Sequence, residues 1–221
     1  KEGARKGDNR AGVLLAAKAF RKGDTESAQA LLDSIKTNIP PEKKLLQAEI
    51  LAASGQFSAA EALCDELVNK GHGGFQVDLL KARIHTEQKL DKKSLESWKA
   101  VAHTHPRDPR PLLALEKAFV RMNQPGEARK IRRKRADIDE HNGALRLSLL
   151  EDAVHRGALT ESMALVGKAM ETAPLNPEVW RLRARMALQE NPPNCHQALE
   201  AIETVREQKG SLDDTALFAE V

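Results

Sequence analysis

The stretch PLNPEVWRLRARMA, residues 174–187, contains the residue pattern that decides the fold of this chain. Pro174 cannot continue a preceding helix, so a new segment begins after it. Trp180, Ala184 and Ala187 then follow at intervals of four and three residues, which places all three on one face of a helix. Two of these three side chains are small, so a second helix can cross this face closely. The stretch therefore predicts a helix that packs tightly against a neighbouring helix.

The same arrangement recurs along the chain between short helix-breaking turns. These turns are predicted at Gly23-Asp24, Gly55-Gln56, Lys89-Leu90, Asn123-Gln124, Gly157-Ala158 and Asn191-Pro192. Successive turns lie 32 residues apart once and 34 residues apart four times. A small residue follows each turn, five residues later in the first five units and two residues later still in the last: Ala28, Ala60, Ser94, Ala128, Ser162 and Ala198. Such a fixed period predicts a repeat architecture.

Apolar residues at helical spacing mark two helices in each unit. The stripe before the turns comprises Leu15, Ala16 and Ala19; Ala48 and Leu51; Leu115 and Phe119; Leu149, Leu150 and Ala153; and Trp180, Ala184 and Ala187. The stripe after the turns comprises Leu32 and Ile35; Cys64 and Leu67; Trp98 and Val101; and Val166 and Ala169. Aromatic residues make up only 3% of the chain and tyrosine is absent, so we expect almost no β-sheet.

A period near 34, small residues at helix crossings and prolines such as Pro40, Pro106 and Pro174 at the ends of units resemble the tetratricopeptide repeat family from about residue 9 to residue 210. The resemblance implies an all-α, right-handed superhelical solenoid of about six helix-turn-helix repeats. The missing tyrosines, His85 and Glu116 depart from the family pattern and indicate a divergent member.

Three segments are expected from this register. Residues 1–9 are predicted to be a basic flexible N-terminal tail, and residues 10–138 to form repeats 1 to 4. Residues 139–221 are predicted to form repeats 5 and 6 and the start of a capping helix, with Leu212, Ala216 and Leu217 as its apolar residues.

The solenoid register also predicts a concave groove lined by the first helix of each repeat. The expected groove residues are Phe20, Glu49, Leu79, Arg83, Thr86, Arg110, Leu113, Lys117, Glu151, Arg181 and Arg185. Their mixture of apolar and oppositely charged side chains suits a peptide or an amphipathic helix. We therefore expect a non-catalytic scaffold or adaptor that binds a partner peptide or protein, within a larger assembly or secretion component. Family members that bind the acidic C-termini of chaperones use Lys and Asn residues on these first helices. In this chain the groove face carries no Asn and Lys117 is almost its only Lys, which disfavours that partner.

A basic run interrupts the pattern on the second helix of repeat 4: Arg129, Lys130, Arg132, Arg133, Lys134 and Arg135. Arginines at 132 and 135 occupy slots where the apolar stripe should continue. They are expected to extend to solvent, to pair with carboxylates such as Asp137, Asp139 or Glu140, or to lie on a solvated face that makes residues 136–143 a joint. The alternative function is binding of RNA or an acidic polysaccharide by this run. A solvated outer face is favoured, because no aromatic residue is interleaved for base stacking.

The sequence contains no pattern for a catalytic, metal or cofactor site, and none is expected. His103 and His105 lie at a predicted helix end with no further ligand nearby, which favours interaction with the helix dipole. Two cysteines, Cys64 and Cys195, do not indicate a disulfide framework. No run of 18 apolar residues exists, so a membrane span is excluded. The net charge of +3 is small for a dedicated nucleic-acid binder.

Overall fold

The computed structural model describes residues 2–36 and 40–207, apart from the side chains of residues 2–8. In that part of the chain there are twelve α-helices and no strand. They are α1 (Glu2–Arg21), α2 (Thr25–Ser34), α3 (Pro41–Ala53), α4 (Phe57–Asn69), α5 (Phe75–Glu87), α6 (Asp91–Thr104), α7 (Pro109–Arg121), α8 (Pro125–Ile138), α9 (Gly143–His155), α10 (Leu159–Thr172), α11 (Pro177–Leu188) and α12 (Cys195–Glu207). Consecutive helices form six helix-turn-helix units, as predicted. The capping helix expected at residues 211–221 lies outside the described residues.

The first helix begins earlier than expected. Residues 2–9, which the sequence assigned to a flexible tail, form the first turns of α1. The prediction rested on the lack of an apolar stripe in this segment. Glu2, Ala4, Arg5 and Lys6 are good helix formers, although Gly3 and Gly7 are poor ones, and this segment extends a helix that the following residues already anchor.

The turns between paired helices lie at the predicted positions. Gly23, Gly55 and Gly157 have φ values of 84°, 76° and 66°, and the non-glycine residues Lys89 and Asn123 have φ values of 56° and 54°. All five residues are in the left-handed region that ends many helices. The sixth turn contains a cis peptide bond between residues 191 and 192. The repeat register is therefore confirmed turn by turn.

The small residues predicted at helix crossings are all buried. Ala28, Ala60, Ser94, Ala128, Ser162 and Ala198 are at most 2% exposed. The stripe on the second helices is also buried, except that Val166 is half-buried. Leu15 is a clear exception on the first helices, since its side chain is 56% exposed. The packed face of α1 instead presents Val13 and Ala16 to α2 and α3.

By its internal contacts the chain divides into two compact units, Lys1–Ala118 and Phe119–Val221. In the first unit, one apolar cluster joins α1, α2 and α3, and a second joins α3, α4 and α5. In the second unit, separate clusters join α8 to α9, α9 to α10 and α11, and α11 to α12. The segment division predicted after residue 138, with its joint at residues 136–143, stays a prediction.

Candidate partner-binding surface

The first helices of successive repeats pack against each other. In the first unit α3 contacts both α1 and α5, and in the second unit α11 contacts α9. Side chains that occupy the same register position on these helices therefore form rows that run across a unit. We call the side of the first helices that carries the rows described below the first-helix face.

An apolar row crosses the first-helix face of the first unit. It consists of Val13, Leu45, Leu79 and Leu113, each ten residues before the turn of its repeat. Val13 and Leu79 are buried, with 6% and 9% of their surface exposed, Leu45 is half-buried, and Leu113 is 37% exposed. The predicted groove residues Leu79 and Leu113 thus share one register position, and Leu113 is the more exposed of the two.

A charged row runs beside the apolar row. Glu49, Arg83 and Lys117 each lie six residues before a turn, and Glu49 is half-buried while the other two are exposed. Burial raises the pKa of the Glu49 carboxyl, and the nearby positive charges of Arg83 and Arg21 oppose this rise only in part. The structure thus brings the predicted residues Glu49 and Arg83 close together. The row has more positive than negative charge.

Two predicted groove residues make side-chain contacts inside the fold. The Thr86 hydroxyl accepts a hydrogen bond from Trp98 Nε1 at 2.9 Å and lies 2.7 Å from Ser94 Oγ, so it faces α6 within repeat 3. The Phe20 ring is half-buried against the cluster that joins α1, α2 and α3. The helical register predicts on which side of the helix each of these side chains lies, but it does not predict which neighbouring residue the side chain contacts.

The predicted residue Arg110 takes part in an aromatic cluster at the start of α5 and α7. Its guanidinium lies 4.7 Å from the centre of the Phe75 ring, and His105 packs on the same ring at 4.2 Å. Three side-chain hydrogen bonds, at 3.0, 3.2 and 2.7 Å, link Arg110 to both carboxylate oxygens of Asp108, and they hold the pKa of Asp108 below its usual value. A cleft of 500 Å³ lies beside this cluster. No sequence pattern indicated the role of Phe75.

The second unit presents a face of mixed charge on α9 and α11. Glu151 and Arg185 are exposed, and Arg181 is half-buried. The Arg181 guanidinium lies 3.3 Å from a carboxylate oxygen of Glu178 on the same helix. This face therefore carries both signs of charge.

The basic run on α8 is largely engaged in ion pairs. Arg133 pairs with Glu161 of α10, and Arg129 lies 3.9 Å from Asp152 of α9. Arg156, which caps α9, contacts Asp152 at 2.9 Å and Glu161 at 2.8 Å. We call Arg129, Arg133, Asp152, Arg156 and Glu161 the α8 ion-pair network. Arg129 and Arg133 thus pair with carboxylates of the next repeat. The pairing predicted for Arg132 and Arg135 with Asp137, Asp139 or Glu140 stays a prediction.

The other members of the basic run differ in their surroundings. Lys130 pairs with Glu127 at 2.7 Å, and Arg132 Nη1 donates to Ser148 Oγ at 3.4 Å. Arg132 and Arg135 are half-buried, whereas Lys134 is exposed. Burial raises the pKa of Glu161, but hydrogen bonds from Arg156 and Arg133 outweigh this effect and leave the pKa below its usual value. The run therefore acts mainly as a link between α8, α9 and α10.

A Ser-His-Glu arrangement was not anticipated from the sequence. His85 Nδ1 lies 2.8 Å from Ser97 Oγ, and His85 Nε2 lies 3.2 Å from a carboxylate oxygen of Glu61. These residues come from α6, α5 and α4, so the arrangement joins repeats 2 and 3. Ser97 lies inside α6, where the backbone N–H groups are used by the helix and form no oxyanion hole. We interpret the arrangement as a structural hydrogen-bond relay.

Other reactive side chains are isolated from one another. In residues 2–36 and 40–207, no group of three or more His, Cys, Asp or Glu residues is placed to hold a metal ion. Cys64 is buried, and burial raises the pKa of its thiol to about 11, while Cys195 is exposed. Among the helices that the structure describes, none combines the length and apolar character needed to cross a membrane.

Solved structures with similar architecture are tetratricopeptide repeat proteins. PilF of Pseudomonas aeruginosa superimposes with a TM-score of 0.59 at 15% sequence identity, covering 99% of this chain and 100% of that one. The chain has the tetratricopeptide-repeat fold. TTC0263 of Thermus thermophilus matches this tetratricopeptide-repeat chain with a TM-score of 0.51 at 17% identity, covering 82% of this chain and 98% of that one.

A third tetratricopeptide-repeat structure is YrrB, which is described as having an unusual peptide-binding site. It matches with a TM-score of 0.50 at 14% identity, covering 79% of this chain and 88% of that one. No family model matches the sequence, and a comparison with curated proteins gave no significant match. The likeness to these tetratricopeptide-repeat proteins therefore concerns the fold.

Proposed function

We propose that this tetratricopeptide-repeat chain is a non-catalytic scaffold that binds an extended or helical segment of a partner protein along the first-helix face, as a component of a larger assembly. The pairing of an apolar row with a charged row on successive first helices supports this proposal most directly. A peptide that alternates apolar and charged residues matches such a surface, because repeats 2, 3 and 4 each carry a leucine and a charged residue at these two positions. The peptide-binding site described for YrrB is consistent with this use of the fold.

The charged row indicates which kind of partner segment binds to the first-helix face. Arg83 and Lys117 are exposed, whereas Glu49 is half-buried. Approaching carboxylates meet the two accessible cations first, so we expect the bound segment to be acidic beside its apolar residues. Leu113 is the exposed leucine of the apolar row and would provide its apolar contact.

A photo-crosslinking experiment tests the proposal. We expect a photoreactive amino acid at position 83 to capture a protein partner in cells, and the same group at position 99 to capture none. Lys99 is exposed and lies on a second helix, α6, so it is a matched control for accessibility. Arg83→Glu together with Lys117→Glu should then weaken binding of the captured partner at least tenfold. Equal capture from both positions, or capture from neither, would contradict the proposal.

Binding of an anionic polymer by residues 129–135 has weaker support. Arg129, Lys130 and Arg133 each contact a carboxylate of this chain, which reduces the positive charge that they offer. A heparin column tests the alternative, since Lys134→Gln leaves the α8 ion-pair network intact. Salt-dependent retention that this substitution weakens would favour the polymer over the protein partner.

A further inference from the structure

Phe75 lines two clefts of the first unit. One cleft has a volume of 470 Å³ and is also lined by Leu45 of the apolar row. The other is the 500 Å³ cleft described above, which is lined by His105 and Asp108. Both volumes lie within the range of about 300–1,000 Å³ that is usual for ligand pockets. Because the Phe75 ring is common to both clefts, a segment bound against Leu45 can continue over this ring to the second cleft.

The second cleft presents apolar rings to a ligand. Phe75, Pro106 and Pro109 line it. The His105 ring packs on the Phe75 ring at a centroid distance of 4.2 Å, with an angle of 51° between the two planes. Flat ring surfaces favour an aromatic ligand side chain, because such a side chain buries a large area and loses little rotational freedom. The cleft is therefore suited to an aromatic residue.

Arg110 is held in a fixed position beside this cleft. Its guanidinium lies over the Phe75 ring, and its hydrogen bonds to Asp108 use Nε and Nη2. Among the described residues no partner of Nη1 is found, so this group can donate a hydrogen bond to a ligand. The Arg110 side chain is 57% exposed. A planar guanidinium that packs on one ring can receive a second ring on its other face and can also bind a carboxylate.

The charge of the second cleft is positive. Asp108 offsets the charge of Arg110, and Arg107 lines the same cleft and is exposed. A ligand that brings a carboxylate together with its aromatic ring is therefore favoured over a neutral one. Arg107 and Arg110 are the two groups that can donate hydrogen bonds to that carboxylate.

We propose that Phe75, Arg107 and Arg110 form an anchor site for an aromatic residue of the partner segment that has an Asp or Glu close to it. The aromatic ring packs on the Arg110 guanidinium and on the proline rings, and the carboxylate accepts hydrogen bonds from the two arginines. This inference rests on the function proposed above and assigns a sequence preference to the bound segment. The apolar and charged rows consist of aliphatic and charged side chains, so a preference for aromatic residues comes from the anchor site.

Selection from a phage library of random twelve-residue peptides tests the inference. We expect the peptides that the full chain enriches to contain Phe, Tyr or Trp within two positions of Asp or Glu. Selection on the variant Arg110→Gln should lose this aromatic preference and still enrich acidic amphipathic peptides, because Arg83 and Lys117 are unchanged. Enriched peptides without the aromatic preference would overturn the inference and leave the proposed function standing. Enrichment of no peptide on either protein would contradict both.

Fluorescence anisotropy of one selected peptide then separates ring packing from charge. Arg110→Lys keeps the charge but loses the planar guanidinium, and Phe75→Leu keeps an apolar side chain but loses the ring; each should weaken binding about fivefold. Replacing the aromatic residue of the peptide by Leu should weaken binding to the wild type about fivefold and have little effect on binding to Arg110→Lys. Lys99→Gln is the matched control, since it removes an exposed cation of α6 that lines neither cleft. It should leave the affinity unchanged.

Thermal unfolding of the same variants distinguishes binding from a purely structural role. The contacts of Arg110 with Phe75 also join the start of α7 to the start of α5. A lowered unfolding temperature with unchanged peptide affinity would show that the cluster only joins these helices, and it would overturn the inference. Wild-type affinity of Arg110→Lys would also overturn it, because charge alone then accounts for binding. The Leu-substituted peptide requires no change to the protein, so the inference stays testable even if Phe75→Leu does not fold.

Discussion

Lys89 and Asn123 adopt the left-handed backbone conformation that glycine adopts in repeats 1, 2 and 5. A side chain in this conformation costs about 1–2 kcal/mol, because its Cβ approaches the following carbonyl oxygen. Hydrogen bonds hold the residue there: Lys89 N–H donates to Thr86 C=O at 3.0 Å, and Leu90 N–H donates to His85 C=O at 3.0 Å. These hydrogen bonds thus offset the backbone strain at the turn, and the repeat length stays constant.

Replacing Lys89 by glycine should therefore stabilise the protein. Because glycine also loses more backbone freedom on folding, we expect Lys89→Gly to raise the free energy of unfolding by only about 0.5–1 kcal/mol. Urea denaturation measures the change. Lys99→Gly is the matched control, since it places glycine inside α6 and should lower the free energy of unfolding by about 1 kcal/mol. A destabilised Lys89→Gly variant would show that its side chain has a contact that stabilises the turn.

Glu49 gives a prediction for pH. Burial raises the pKa of its carboxyl in the folded state, so its contribution to stability is present below the unfolded-state pKa and is lost as the pH rises through the folded-state pKa. Glu49→Gln should accordingly stabilise the protein at pH 7 by a few tenths of a kcal/mol, after discounting for partial exposure. The difference from the wild type should vanish below about pH 4. Thermal unfolding from pH 3 to pH 8 tests this, and an advantage of Glu49→Gln that grows towards acid pH would contradict it.

Turn residues and small crossing residues were predictable from the sequence because backbone geometry restricts which residue types they tolerate. Thr86 was expected to line the groove, and the sequence did not predict that its hydroxyl hydrogen-bonds with side chains of α6. The relay of Glu61, His85 and Ser97 was not predictable. Its three residues come from three helices, and their meeting depends on helix rotations that a spacing pattern does not specify.

At the scale of the element, α8 shows how a charged helix packs where an apolar stripe is expected. The buried residues that α8 contributes are the small Ala128 and Ala136. Arg129 and Arg133, beside the stripe positions 132 and 135, pair with carboxylates on α9 and α10, so ion pairs link α8 to the next repeat. The sequence showed the break in the stripe but not the partners, which lie in the next repeat.

Glu161 is the acceptor shared by Arg133 and Arg156 in the α8 ion-pair network. Glu161→Gln should lower the free energy of unfolding by about 1 kcal/mol at pH 7, because two cations lose their charged acceptor and the pair is partly screened by solvent. Since the pKa of Glu161 is lowered in the folded state, this stabilisation is present above the unfolded-state pKa and is lost as the pH falls through the folded-state pKa.

Denaturation of Glu161→Gln at pH 7 and at acid pH measures this effect. Glu171→Gln is the control, because Glu171 lies on the same helix and is exposed. We expect the control to change the free energy of unfolding by less than about 0.5 kcal/mol. Equal effects of the two substitutions at pH 7 would show that the network does not stabilise α8.

At the scale of the molecule, the fold was predicted in full outline because the repeat period and the crossing residues repeat six times. The boundary between the two compact units lies within α7, and the repeat period did not predict it. Within each unit, neighbouring repeats contact one another, so damage to one repeat should spread only a short distance along the chain.

Leucine-to-alanine substitutions in the two units test this locality. Leu182 and Leu32 are both 0% exposed, in clusters of the second and first unit. Each substitution should cost about 3 kcal/mol locally, because it leaves a cavity. Amide hydrogen exchange should show lost protection mainly in α9–α12 for Leu182→Ala and mainly in α1–α4 for Leu32→Ala. Uniform loss of protection along the chain in both variants would show that the units unfold as one.

The difference in burial between Cys64 and Cys195 gives the chain an intrinsic reporter of local opening. Cys64 lies in the cluster that joins α3, α4 and α5, where its thiol reacts with a disulfide reagent only after repeat 2 opens. Cys195 is exposed and supplies a reference rate in the same sample. The ratio of the two labelling rates therefore measures the opening equilibrium of a single repeat in the unmodified protein, and a ligand that closes repeat 2 would be detected as slower labelling of Cys64.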